Sequence, residues 1–197
     1  MKHLWKHPWI VGATNLLLIM AIYTLSRFFF YWVNIDLYPN VSFAHLIEML
    51  AGGVRFDMTA LLYLNSLYLL LVLLPLPPKI RNHKLYINTA KWAYWIPNIL
   101  CFIVNCIDIV YVRFTDRRTT CTFFTEFQND GNLMTILGQS VVQYWYVTLF
   151  GIATIALFIV CTRKKWDVKT PRNPWIYYLG ELALMLITVY FVAKMLA

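Results

Sequence analysis

Five apolar runs dominate this sequence: Pro8–Trp32, Phe56–Leu76, Trp92–Val112, Val141–Cys161 and Trp175–Ala197. Each is 21 residues or longer. At about 1.5 Å per residue, a helix of that length reaches about 30 Å, the thickness of a bilayer's hydrocarbon core. Lipid offers no partner to an unpaired backbone group, so each run is expected to be a helix. Only 13% of the 197 residues are charged and 60% are hydrophobic, whereas a soluble domain carries about 25% charge. The expected fold is an all-α integral membrane protein in one domain, residues 1–197. It has five transmembrane helices and short interfacial helices in two loops. The first run is too long for a signal peptide, and Arg27 and a cluster of aromatics follow it where a small-residue cleavage site would stand, so it reads as an uncleaved anchor.

Charge placement sets the orientation. The amino-terminal segment, the loop "PPKIRNHKLYINTAK" and the loop "TRKKWDVKTPRNP" together hold 11 basic residues against one acid, Asp167. The two loops on the opposite side hold Arg55, Arg113, Arg117 and Arg118 against Asp36, Glu48, Asp116, Glu126 and Asp130. Basic loops stay in the cytoplasm. The amino terminus is therefore expected inside and, after five crossings, the carboxyl terminus outside. The net charge of +8 becomes an orientation signal, which argues against nucleic acid as a partner.

The outside loops carry more structure than the inside ones. "SFAHLIEMLAGGVRF" has apolar residues at helical spacing, with Gly52-Gly53 expected to break it. "TTCTFFTEFQNDGNLMTILGQS" reads as two short helices around Asn129-Asp130-Gly131, with Phe123, Phe124 and Phe127 on an apolar stripe lying on the outer leaflet. The cysteines, Cys101, Cys106, Cys121 and Cys161, form no CxxC pair, and His3, His7, His45 and His83 are scattered. No redox or zinc site is indicated within this chain.

The charges inside the apolar runs share one depth. Arg27 lies near the outer end of the first run, and Arg55 and Asp57 at the outer start of the second. Asn105 and Asp108 stand three apart, on one face near the outer end of the third. A charge at the centre of a membrane helix costs about 2.5–3.5 kcal/mol even on insertion scales. Asp57 and Asp108 are therefore expected to pair with Arg27, Arg55 or Arg113, with Arg27 or Arg55 as the partner of Asp108. Arg113, Arg117 and Arg118 follow at once, beside Thr115, Thr119 and Thr120. Guanidiniums hold phosphate oxygens bidentately and stay charged at any working pH. Arg113, Thr115, Arg117, Arg118 and Thr119 are thus candidates for an anionic lipid head group at the outer leaflet. Glu181, in the last run, has Lys165 or Arg172 as candidate partners, and Lys194 can snorkel.

The stretches "GGVRFDMTALLYLN" and "NCIDIVYVRFTDRRTTCTFFTEF" resemble the amino-terminal membrane domain of lipoteichoic acid synthase-like proteins. These belong to the sulfatase and alkaline phosphatase superfamily, near the phosphoethanolamine transferases. The matching positions are Arg55, Phe56 and Asp57; Asn105 and Asp108; then Phe114, Thr115, Arg117, Arg118, Thr119 and Thr120. The resemblance implies an enzyme of the bacterial cytoplasmic membrane that transfers or hydrolyses a phosphate-bearing lipid head group. It also implies a downstream extracytoplasmic domain holding a threonine nucleophile and a divalent metal (Mn, Zn or Mg). This chain stops at Ala197, so it is expected to be the anchoring domain alone, inactive by itself, with its own catalytic domain and anionic phospholipid as partners. The competing reading is a non-catalytic transporter or assembly subunit. Internal symmetry and charges at the bilayer midplane would favour a transporter, and neither is evident. An intramembrane hydrolase ranks last, because every histidine lies outside the apolar runs or at their edges.

Overall fold

A computed structural model describes residues 8–39, 41–74, 76–115, 133–163, 178–180, 182–187 and 189–190. Every regular element among them is helical. Helix α1 (Pro8–Val33) is followed by a short 3-10 turn at Ile35–Leu37, then α2 (Phe43–Leu64), α3 (Ser66–Leu73) and the single turn α4 (Pro78–Arg81). The chain continues through α5 (Lys84–Thr115), α6 (Leu133–Gln143) and α7 (Trp145–Thr162). A short apolar helix follows at Tyr178–Ile187.

Three of these helices, α1, α5 and α7, are long and apolar enough to cross a membrane, and α2 with α3 makes a fourth if the bent pair is one span. The molecule is thus a helical multi-pass membrane protein with three to four candidate spans, where the sequence suggested five. The fifth run is described only in part, and Glu181, Lys165, Arg172 and Lys194 lie outside the described residues.

Two expectations need correction, and both concern α2. Its amino-terminal half is not a separate interfacial element. Ser42 caps it, its Oγ accepting from the His45 N–H at 3.4 Å, and the helix then runs unbroken through Gly52-Gly53 into the apolar run. Glycine disfavours a helix by only about 1 kcal/mol, and the backbone hydrogen bonds of an apolar helix outweigh that. The break comes instead at Asn65, where α2 and α3 meet at 63°. There the Leu61 carbonyl accepts from both the Asn65 N–H and its side-chain amide, each at 2.9 Å.

Helix α5 begins eight residues before the apolar run, since nothing between Lys84 and Trp92 interrupts a helix. It also passes through Pro97. Next to that proline, the Asn98 amide donates to the Tyr94 carbonyl at 2.6 Å, so side-chain donors are supplied where the ladder is weakest. Asn98 and Asn65 exchange amide hydrogen bonds of 2.7 and 3.3 Å, tying the bend of α2–α3 to the proline turn of α5. The two short helices expected around Asn129-Asp130-Gly131 fall largely outside the described residues, which resume with α6.

The core lies where α1, α2–α3, α5 and α7 meet. Ile19, Ile22, Leu61, Tyr68, Tyr94, Phe102 and Phe158 are buried there. Phe158 sits between Tyr94 and Phe102, with ring centroids 5.2 and 5.7 Å away. Close approach of α5 and α7 depends on Gly151, where a Cβ would stand 2.9 Å from the Cys106 sulfur. Tyr68 and Tyr94 keep their hydroxyls satisfied: Asn15 donates to Tyr68 at 2.8 Å, and Tyr94 donates to the Asn15 carbonyl at 2.9 Å. The outward faces carry Leu17, Leu149, Ile152 and Val160 exposed, the surface expected of helices solvated by lipid tails.

Candidate functional site

The polar groups of the sequence motifs gather where the last turns of α1 and α5 meet the second half of α2. Arg27 of α1 reaches Asp57 of α2 with a two-pronged contact: Nε donates to Oδ2 and Nη2 to Oδ1, each at 2.6 Å. This pairing settles which face of α2 looks inward. Successive helical residues turn by about 100°, so Arg55 and Asp57 cannot both face α1. Phe56 is 78% exposed and Arg55 is exposed, while the Asp57 side chain keeps only 13% exposure. Gly53 lies one turn before Asp57 on the same face. The Arg27 guanidinium fills the space above it: a Cβ there would overlap Nη1 and stand 2.5 Å from Cζ. The first glycine of the pair has nothing within 4 Å.

One residue before Arg27, buried Ser26 accepts from the Asn105 amide at 2.9 Å. Asn105 thereby links α5 to α1. Asp108, a turn further along, is 7% exposed. Asp57 takes Nε and Nη2 of Arg27, one of the pairings that the sequence allowed for it. Asp57, Asn105 and Asp108 together line a cleft of about 490 Å³ between α2 and α5, with Tyr23 of α1 in its wall. Leu61, Leu64 and Cys101 line the same cleft one to two turns deeper.

Arg113 has a different setting. Its Nε donates to Asn34 Oδ1 at 3.1 Å, Nη2 donates to the Val33 carbonyl, and Asp36 lies 3.7 Å from the guanidinium. Asn34 in turn donates to the carbonyls of Phe30 and Ile109, at 3.1 and 3.2 Å. Arg113 therefore caps the carboxyl end of α1, where free carbonyls and the helix dipole both favour a cation. Thr115 Oγ1 donates back to the Tyr111 carbonyl at 3.0 Å, in the last turn of α5. Arg117, Arg118 and Thr119 lie outside the described residues. The Arg55 guanidinium forms no ion pair among the described residues.

Sequence reasoning overlooked four residues that organise this region. Gly53 is the socket for Arg27, Ser26 receives Asn105, Asn34 joins α1 to α5, and Asn65 makes the bend. A signal was available for Asn65, as it was for Asn15 and Asn98: each is a strongly polar side chain inside an apolar run, and such a group must find a partner across helices. Among the described residues no three His, Cys, Asp or Glu side chains are grouped to hold a metal ion. No protein-family model matches the sequence, and no curated protein or solved structure is significantly similar to it.

Proposed function

We propose that this chain is the membrane domain of a lipoteichoic acid synthase-like enzyme of the sulfatase and alkaline phosphatase superfamily. Such an enzyme transfers or hydrolyses a phosphate-bearing lipid head group at the outer face of the cytoplasmic membrane. The domain anchors the enzyme and holds an anionic phospholipid where a catalytic domain beyond residue 197 can reach it. In this reading the amino terminus is cytoplasmic, and the divalent metal belongs to that further domain.

The observation that carries the reading is convergence. Asp57 of the R-F-D stretch, and Asn105 and Asp108 of the N-x-x-D stretch, come from two helices and line one cleft. Seven residues after Asp108, α5 ends at Thr115, and the chain leads at once into Arg117, Arg118, Thr119 and Thr120. Arg113 is spent on the end of α1, so the phosphate-binding role falls mainly to Arg117 and Arg118. The domain's part in the chemistry is binding and orientation: two guanidiniums neutralise the phosphodiester and fix its depth, and the Asp57 carboxylate keeps Arg27 out of competition for it.

Each charge-assisted contact is worth about 1.5–3 kcal/mol. Changing Arg117 and Arg118 together to Gln should therefore weaken phosphatidylglycerol retention more than about tenfold. Native mass spectrometry of the chain released from nanodiscs measures this, with the melting temperature unchanged. Equal retention by the double variant would overturn the assignment.

A further inference from the structure

The end of the bundle away from the arginine motifs gathers cations with few acids to answer them. Lys84 and Lys91 stand on one face of α5, with Asn88 between them and Trp95 one turn beyond. The Lys91 ammonium lies over the Trp95 ring, 5.7 Å from its centroid. The same indole donates from Nε1 to Thr162 Oγ1 at 3.0 Å, and Thr162 is the last residue of α7. Trp95 thereby ties Lys91 to the level of exposed Arg163, which caps α7 where the helix dipole favours a cation. Lys84, Lys91 and Arg163 form no ion pair among the described residues. Lys164 and Lys165 come next in the sequence, and Asp167 is the only acid in either loop at this end.

Both helices put this pair of cations at the same depth. The 32 residues of α5 run about 48 Å at about 1.5 Å per residue, against a hydrocarbon core of about 30 Å. Centred in a bilayer, α5 overhangs by about 9 Å at each end. Lys91 lies about 10 Å along the helix from Lys84, at the boundary between head groups and tails. The 18 residues of α7 run about 27 Å, close to the core thickness, so Arg163 emerges at that boundary too. Exposed Trp92 stands beside Lys91, where interfacial aromatics belong. Below them, Ile96 and Leu100 of α5 and Leu157 and Val160 of α7 are exposed, an apolar surface for acyl chains.

We infer that the ends of α5 and α7 at this side bind a phospholipid with two phosphodiesters, one on Lys91 and one on Arg163. Each cation sits on its own helix and is joined to the other only through Trp95, so each calls for its own anion. Ammonium and guanidinium both make charge-assisted hydrogen bonds to phosphate oxygens, and basic sites between membrane helices favour multiply charged head groups. Joining two phosphates in one lipid makes the second contact intramolecular, which raises its effective concentration. Lys84, further out on the same face of α5, adds attraction without a fixed contact. The inference needs only the membrane-spanning reading, not the transferase one.

The test uses the whole chain in detergent and counts bound lipid by native mass spectrometry. Its probes are diphosphatidylglycerol, with two phosphodiesters, and phosphatidylglycerol, with one. All measurements are made in the Arg117→Gln, Arg118→Gln background, so the outcome does not depend on the site proposed at the other end. Diphosphatidylglycerol should bind at least about tenfold more tightly than phosphatidylglycerol, the ratio expected of one further charge-assisted contact. Adding Lys91→Gln and Arg163→Gln should weaken diphosphatidylglycerol binding by at least about tenfold at unchanged melting temperature. Lys91→Arg with Arg163→Lys keeps both charges and should keep the preference. Inorganic phosphate, the probe for a soluble ligand, should not displace the lipid. Equal binding of the two lipids, undiminished binding after the Gln changes, or displacement by inorganic phosphate would overturn the inference.

Discussion

Replacing Gly53 with Ala should break the link between α1 and α2, whereas the same change at its neighbour Gly52 should strengthen the protein. Both glycines lie inside α2, and in a helix interior alanine is favoured over glycine by about 1 kcal/mol. At Gly52 the new methyl meets nothing within 4 Å, so that gain should be realised. At Gly53 the methyl would overlap the Arg27 guanidinium, 2.5 Å from Cζ and 3.0 Å from Nε. Arg27 is held in place by Asp57, to which it donates twice at 2.6 Å, so its retreat from the methyl is expected to disrupt that pair. Separating a largely buried pair costs about 3–5 kcal/mol, because the remaining carboxylate is left desolvated. This pair keeps partial exposure, with side chains 26% and 13% accessible, so the lower end, about 3 kcal/mol, applies. Net of the helix gain, Gly53→Ala should lose about 2 kcal/mol and Gly52→Ala should gain up to about 1 kcal/mol. The gap of about 3 kcal/mol should be read by SDS titration followed by circular dichroism. In an Arg27→Met background the Gly53→Ala penalty should vanish, since the clashing group has gone. Equal stability of the two alanine variants would refute the socket, and a penalty that persists with Arg27→Met would place the clash elsewhere.

The remaining expectations concern the other cross-helix contacts. Asn98→Leu should destabilise by about 1–2 kcal/mol, with Asn65→Leu added at little further cost, because the two amides satisfy each other; a double-mutant cycle by SDS titration checks this. Arg113→Gln should cost about 1–2 kcal/mol and speed hydrogen exchange at residues 33–37, where Arg113 caps the end of α1.

Long-range organisation was legible in the sequence wherever it depends on solvent. The apolar runs marked α1, α5 and α7 because lipid selects apolar side chains along the whole length of a span. Helix ends were less legible. α2 and α5 start well before their runs, since Phe43–Gly52 and Lys84–Lys91 can be helical without being apolar throughout. Asn65 stood out as a polar side chain inside an apolar run, but the bend there could not be placed, because its partner, Asn98, is 33 residues away. Asp57 was expected to pair with one of three arginines, and the structure brings it to Arg27. What could not be read was the choice among them. It depends on Gly53 clearing room for one guanidinium, a packing fact that leaves no trace in hydropathy or charge.

The proposed site must face outward to serve a lipid at the outer leaflet, and side-specific cysteine labelling tests this most directly. Single cysteines would be placed at Lys79, Lys164 and Asp130, in a background lacking the four natural cysteines. The label is a membrane-impermeant maleimide applied to intact cells. The basic bias of the loops holding Lys79 and Lys164 predicts that these two stay unlabelled until the membrane is opened, and that Asp130 reacts at once. Labelling of all three from one side would contradict the bundle. Reaction at Lys79 and Lys164 alone would put the arginines in the cytoplasm and contradict the proposed function.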